Sequence, residues 1–248
     1  MSRVPGSAAR VSLTATPAGS HLDRYVRFVN LLMNDTTYLL DDAIDMLTKI
    51  GEIQKQMDDK EAWEARPAAE RQEQESLLRK YEGQAKSDLD LGHESLRMLK
   101  LLTKETKAPF LTREIVDRLA AMLDMNLNML AGPRCQDLKV REMEKYKFRP
   151  KELLSDLLQI FLELGSSTEF QEGVARDGRS YSRDLFERAD RIARKLAIKT
   201  DDELAILRAM VEKVEVLKAA EEEDDAMGEV PDEFLGELAV HTVTRQED

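Results

Sequence analysis

Cys135 is the single cysteine of the chain and its one strong nucleophile by type. It follows Gly132-Pro133-Arg134 in a predicted loop, with Lys139 close behind, and neighbouring cations can lower a thiol pKa. Thioester chemistry would also need a base, and no histidine lies near it in sequence. The expectation is a small loop residue packed under a helix turn. The three histidines, His21, His93 and His241, are far apart, and none forms a His-x-x-x-His or joins a Cys-x-x-Cys spacing. His93, after Gly92, reads as a helix-face residue. Gly165-Ser166-Ser167-Thr168 and Asp177-Gly178-Arg179-Ser180 could suggest phosphate cradles. Neither is a Gly-x-x-x-x-Gly-Lys loop and no predicted strand precedes them, so turn chemistry explains both. The carboxylates are spread over predicted helix surfaces. No catalytic residue, cofactor or metal ligand is expected.

The elements that would carry these residues are helices. From Phe110 to Phe161 the chain reads as a helix, a marked stop, an ordered charged loop and a second helix. Thr112 stands at an N-cap position, and Ile115, Val116, Leu119, Leu123, Leu127 and Leu130 follow at helical spacing. Gly132-Pro133 should end that helix through a left-handed glycine, and Pro150 should open the next at its first turn. Upstream, a short helix is predicted from Leu22. A break falls at Asn34-Asp35-Thr36-Thr37, whose side chains compete for backbone hydrogen bonds, and a second helix runs to Met57. Pro67 should sit at the first turn of a helix reaching Thr106, roughly 60 Å at 1.5 Å per residue. After Gly165 a loop is expected, with its turn at Asp177–Tyr181. Ser182 should cap one more helix, and a Thr200-x-x-Glu203 capping box a last one. That last helix should fray at Glu221–Asp225, where acids oppose the macrodipole.

Composition agrees with an all-α chain. Of its 248 residues 35% are charged and 5% aromatic, so the core should rest on aliphatic packing and methionine gap-filling, not on aromatic clusters. A long helix against shorter ones points to an elongated stack with no fixed-period repeat. Net charge is −12, but Glu221–Asp248 carries eleven acids against one base, leaving residues 1–220 at −2. No basic patch interleaved with aromatics appears, which argues against nucleic acid as a partner. No apolar run reaches the ~18–20 residues of a membrane span. One cysteine excludes an internal disulfide and fits a reducing compartment. Residues 1–20 lack acids and an apolar signal region, reading as a disordered leader with a faint transit-peptide composition.

The order of several stretches resembles the core of the ubiquitin elongating factor family, the U-box ubiquitin ligases of the E-four conjugation-factor type. They are Arg24-Tyr-Val-Arg-Phe-Val-Asn-Leu-Leu-Met-Asn-Asp-Thr-Thr-Tyr-Leu-Leu-Asp, Gln84-Ala-Lys-Ser, Glu114-Ile-Val-Asp-Arg-Leu-Ala-Ala-Met-Leu, Gly132-Pro-Arg-Cys, Leu138-Lys-Val, Val174-Ala-Arg-Asp-Gly-Arg-Ser-Tyr and Val230-Pro-Asp-Glu-Phe-Leu. The resemblance implies an armadillo-like α-solenoid segment. It also implies ubiquitin-chain extension on substrates already bearing ubiquitin, in cytoplasm and nucleus. The partners it implies are an AAA+ segregase, ubiquitin receptors and, through a U-box, a ubiquitin-conjugating enzyme. The family's U-box begins at the position of Pro231–Leu235, after which this sequence departs. The expected organisation is therefore a leader at 1–21, the C-terminal part of the core at 22–220, and an acidic disordered tail at 221–248 where a U-box should begin. Such a chain would be inactive alone. A non-catalytic adaptor or competitor is the second reading, and a transferase using Cys135 ranks last. The outer face of the Leu22–Met57 segment is expected to be uncovered and sticky.

Overall fold

The computed structural model describes residues 18–228 save 137 and 139. Most of the predicted leader and tail, including His241 and Pro231–Leu235, lies outside them, as does Lys139. Eight α-helices follow in order: α1 Ala18–Asp58, α2 Lys60–Glu64, α3 Ala68–Glu105, α4 Arg113–Ala131, α5 Pro150–Leu164, α6 Thr168–Ala175, α7 Arg183–Lys195 and α8 Asp201–Gly228. No strand occurs among the described residues. The all-α expectation holds.

The helices stack in three layers. α1 and α3 form the first. Gly92 lies against Leu40, and the Lys49 ammonium sits over the Tyr81 ring, so the two run antiparallel. A Cβ at residue 92 would fall 2.8 Å from Leu40 Cδ2, which explains the glycine inside a long helix. α4 and α5 make the second layer, and α6, α7 and α8 the third. One continuous core runs through all three, with Leu47, Leu89, Phe110, Leu119, Leu157, Phe161 and Val214 fully buried.

Several expectations need correction. The predicted break at Asn34–Thr37 is absent, and α1 is one rod of 41 residues. Thr36 Oγ1 donates to the Leu32 carbonyl (2.7 Å) and Thr37 Oγ1 to the Met33 carbonyl (2.9 Å), so both hydroxyls fold back into the helix. Arg118 of α4 donates to Asn30 Oδ1 (2.5 Å) and Asn34 Oδ1 (2.7 Å), engaging the amides from the neighbouring layer. The stretch predicted as loop after Gly165 contains α6, whose eight residues are too few to show a period. Aromatics do cluster: Phe161 packs edge-on against Phe170 and Phe186, and Tyr181 packs at a tilt against Phe186. Pro67 occupies the N-cap of α3, one residue earlier than expected. α8 continues through Glu221–Asp225 to Gly228, because glutamate and alanine propensity outweighs a dipole penalty of about 0.3–1 kcal/mol per charge.

The predicted caps are in place. Ser182 Oγ accepts from the Leu185 N–H, and Thr200 and Glu203 exchange their reciprocal bonds at 2.8 and 3.2 Å. Pro150 opens α5. Thr112 is the N-cap of α4, but its hydroxyl donates to the Pro109 carbonyl instead of accepting from the helix. Gly132 ends α4 at φ −74°, not in the left-handed region. A Cβ there would meet the Asn128 carbonyl oxygen at 2.2 Å, so close approach is what requires the glycine.

The connection from Val140 to Arg149 is a strap laid across the C-terminal end of α1 and the middle of α3. Tyr146, almost fully buried, donates to Glu82 Oε1 (2.9 Å) and accepts from Gln54 Nε2 (3.2 Å). The Arg141 backbone N–H donates to Gln54 Oε1 (2.8 Å), and its guanidinium bonds the Gln54 carbonyl and pairs with Asp58. Glu142 and Lys147 bracket this turn with left-handed backbone, at φ 52° and 57°.

Candidate functional site

The turn after α4 places Cys135 in a shallow groove of about 290 Å³. Ala131, Gly132 and Pro133 line one side and Ile192 of α7 the other, with Arg188, Arg191 and Lys195 around them. A second hollow across Gly132-Pro133 shares Arg188 and adds Arg179, Asp184 and Tyr181. Cys135 is partly exposed. The groove brings it no histidine. The described histidine side chain, His93, is buried between α3 and α5, beside Glu94, Arg97 and Lys100. Its Nε2 accepts from the Arg149 N–H (3.4 Å), and burial together with the Arg149 cation pushes its pKa down. His93 is therefore a neutral acceptor tying α3 to the start of α5.

The two glycine-serine stretches fall at a turn and at the start of a helix. Asp177 Oδ1 accepts from the Arg179 N–H (3.1 Å) and the Ser180 N–H (3.4 Å), which fills the nest an anion would use. Ser167 is the N-cap of α6. No group of three or more metal-ligating side chains occurs among the described residues.

One constellation escaped the sequence reading. Asp124 of α4 is fully buried, and its carboxyl faces Asp177, whose Oδ2 is also buried without another partner. Burial, then the nearby charge of Asp177, holds the Asp124 pKa well above the carboxylate range. A signal was present: Asp124 follows Ala120 by four residues and precedes Leu127 by three, so it lies within the apolar stripe of its helix.

The same junction gathers the stretches that carried the resemblance. Arg176 pairs with Asp117 at 2.6 Å, Asp177 meets Asp124, and Arg118 holds Asn30 and Asn34. Residues from Arg24–Asp41, Glu114–Leu123 and Val174–Tyr181 thus bolt all three layers together.

A family model described as ubiquitin elongating factor core matches residues 12–215. The chain belongs to the ubiquitin elongating factor core family. The match extends further toward the N-terminus than the motifs from Arg24 onward. The chain is 42% identical over 221 residues to "Ubiquitin conjugation factor E4" of Schizosaccharomyces pombe, covering 88% of this chain and 22% of that protein. It is 39% identical over 223 residues to "E4 ubiquitin-protein ligase UFD2" of Saccharomyces cerevisiae, covering 88% and 23%. With "Probable ubiquitin conjugation factor E4" of Arabidopsis thaliana the identity is 36% over 218 residues, covering 85% and 21%. The chain therefore spans about a fifth of the length of these curated relatives. In this chain the stretches that carried the resemblance hold layer to layer.

Proposed function

We propose that this core is the helical scaffold of a ubiquitin-chain-elongating ligase acting in ubiquitin-dependent protein degradation. One observation carries the reading: the family match runs through every layer of the stack, from α1 to α8. The scaffold sets the distance and orientation between partners that do chemistry elsewhere. An AAA+ segregase, ubiquitin receptors and a ubiquitin-conjugating enzyme are the proposed partners, and cytoplasm and nucleus the proposed compartments. The test is a chimaera. Residues 12–215 replace the matching segment of the budding-yeast relative, and ubiquitin-chain extension on a ubiquitin-bearing substrate is followed. Retained extension is expected; a folded chimaera that no longer extends chains overturns the proposal.

The surroundings of Cys135 favour a non-catalytic part for this core: cations and apolar atoms line its groove and no base does. Residues 1–248 alone, supplied with activating and conjugating enzymes, should add no ubiquitin above background. Robust extension that is abolished in Cys135→Ser would make the cysteine a transferase centre instead. The adaptor reading fails if the immobilised chain retains neither the segregase nor any ubiquitin-pathway protein above background.

A further inference from the structure

α7 divides its cations by side. Toward α8 each is paired: Arg183 with Glu212 (2.5 Å), and Arg194 with Asp201 (2.6 Å) and Asp190 (3.5 Å); Asp190 also takes Arg208 of α8 (2.7 Å). Toward the Gly132–Cys135 turn the arrangement differs. Among the described residues Arg188 and Lys195 have no carboxylate partner, nor has Arg179 in the adjoining hollow, and Arg191 reaches only Glu187 at 4.0 Å. These exposed cations rim a floor of Ala131, Pro133 and Ile192, and exposed Leu196 lies just past the end of the helix. Unpaired like charges held together over apolar surface cost self-repulsion in the free protein. That cost is relieved when an opposite charge docks.

We propose that this groove is an interaction surface for an acidic peptide segment of a partner protein, anchored by one large apolar side chain. The rim would take carboxylates and the floor the anchor. A polyphosphate backbone fits worse. Asp184 lines the adjoining hollow and Glu187 stands beside Arg191, and both would repel continuous negative charge. The short rim also cannot track a nucleic-acid strand. The proposal rests on this groove's geometry and stands or falls separately from the scaffold reading.

The experiment presents the full chain to a display library of random peptides about twelve residues long, and measures selected peptides by fluorescence anisotropy. Selected sequences should be rich in Asp and Glu around one Leu, Ile, Phe or Trp. Arg188→Glu, and independently Lys195→Glu, should weaken binding by about tenfold or more, each with an unchanged thermal melt. Lys86→Glu makes the same charge change on the exposed face of α3 and should alter affinity by less than about twofold. Bound peptide should also slow the reaction of Cys135 with a thiol reagent. Selection without acidic bias, equal losses in Arg188→Glu and Lys86→Glu, or an unprotected Cys135 would each overturn the proposal. So would a Cys135 already protected in the absence of peptide and released by salt, since an acidic segment of this chain would then hold the groove.

Discussion

Asp124 and His93 are two buried titratable groups whose environments push in opposite directions on pH stability. The folded Asp124 pKa is raised above the unfolded value of 3.8. Its contribution is therefore fully present below that value and lost as pH rises through the folded one, so the buried Asp124 carboxyl weakens the fold at neutral pH. Asp124→Asn keeps the shape and the donor without the ionisation. We expect it to raise stability at pH 7 by about 1 kcal/mol or more, or about 2–4 °C in Tm, measured by thermal melts. A large loss would show that the ionised carboxylate is needed. His93 has the reverse sign: its folded pKa is depressed below 6.5, so its contribution is present above that pH and lost as pH falls below it. Arg149 opposes its charging, while Glu152, Asp156 and Asp90 favour it. The urea midpoint of the wild-type chain should drop between pH 7.5 and 5.5, and His93→Gln should flatten that drop. An unchanged slope in the variant would refute the assignment.

At the scale of elements, the strap is the segment whose order depends most on particular bonds. Tyr146→Phe removes the hydroxyl between Gln54 and Glu82 and leaves a buried amide donor without its acceptor, at a cost of about 1–3 kcal/mol. Denaturant titration would check this; a loss below a few tenths would mean water replaces the bond. Gly132→Ala places a Cβ against the Asn128 carbonyl and should cost at least as much, through distortion of the turn that carries Cys135. Sequence made the helices legible because caps and 3.6-residue periods are local. Ser182, Thr200-x-x-Glu203 and Pro150 could be placed without any tertiary knowledge. Asn34–Thr37 misled for the same reason: its residues favour a break locally, and only Arg118 from another layer shows where the amides go. α6 was too short to reveal a period, and the juxtaposition of Asp124 with Asp177 joins residues fifty-three apart, a proximity that no local pattern encodes.

For the whole molecule, the uncovered first layer is the main consequence of the stack. Leu31 and Tyr38 on α1 are 61% and 66% exposed, and Leu91, Met98 and Leu101 on α3 are also out in solvent. Repeat arrays normally cover such a face with another layer or a polar cap. The purified chain should self-associate with rising concentration, and Leu31→Glu with Leu101→Glu should restore a monomer in sedimentation. A wild-type chain that stays monomeric at high concentration with a sharp melt would contradict this.

Stacked helical layers ordinarily come apart from one end, each layer opening by itself. Here Gln54 and Asp58 of the first layer are held by Arg141 and Tyr146, which belong to the link between the two helices of the second. Opening either layer breaks the same few bonds. Hydrogen exchange should therefore find α1, α3, α4 and α5 opening as one cooperative unit, with slow amides in common. α8, whose last turns run beyond α7, should exchange by independent fraying.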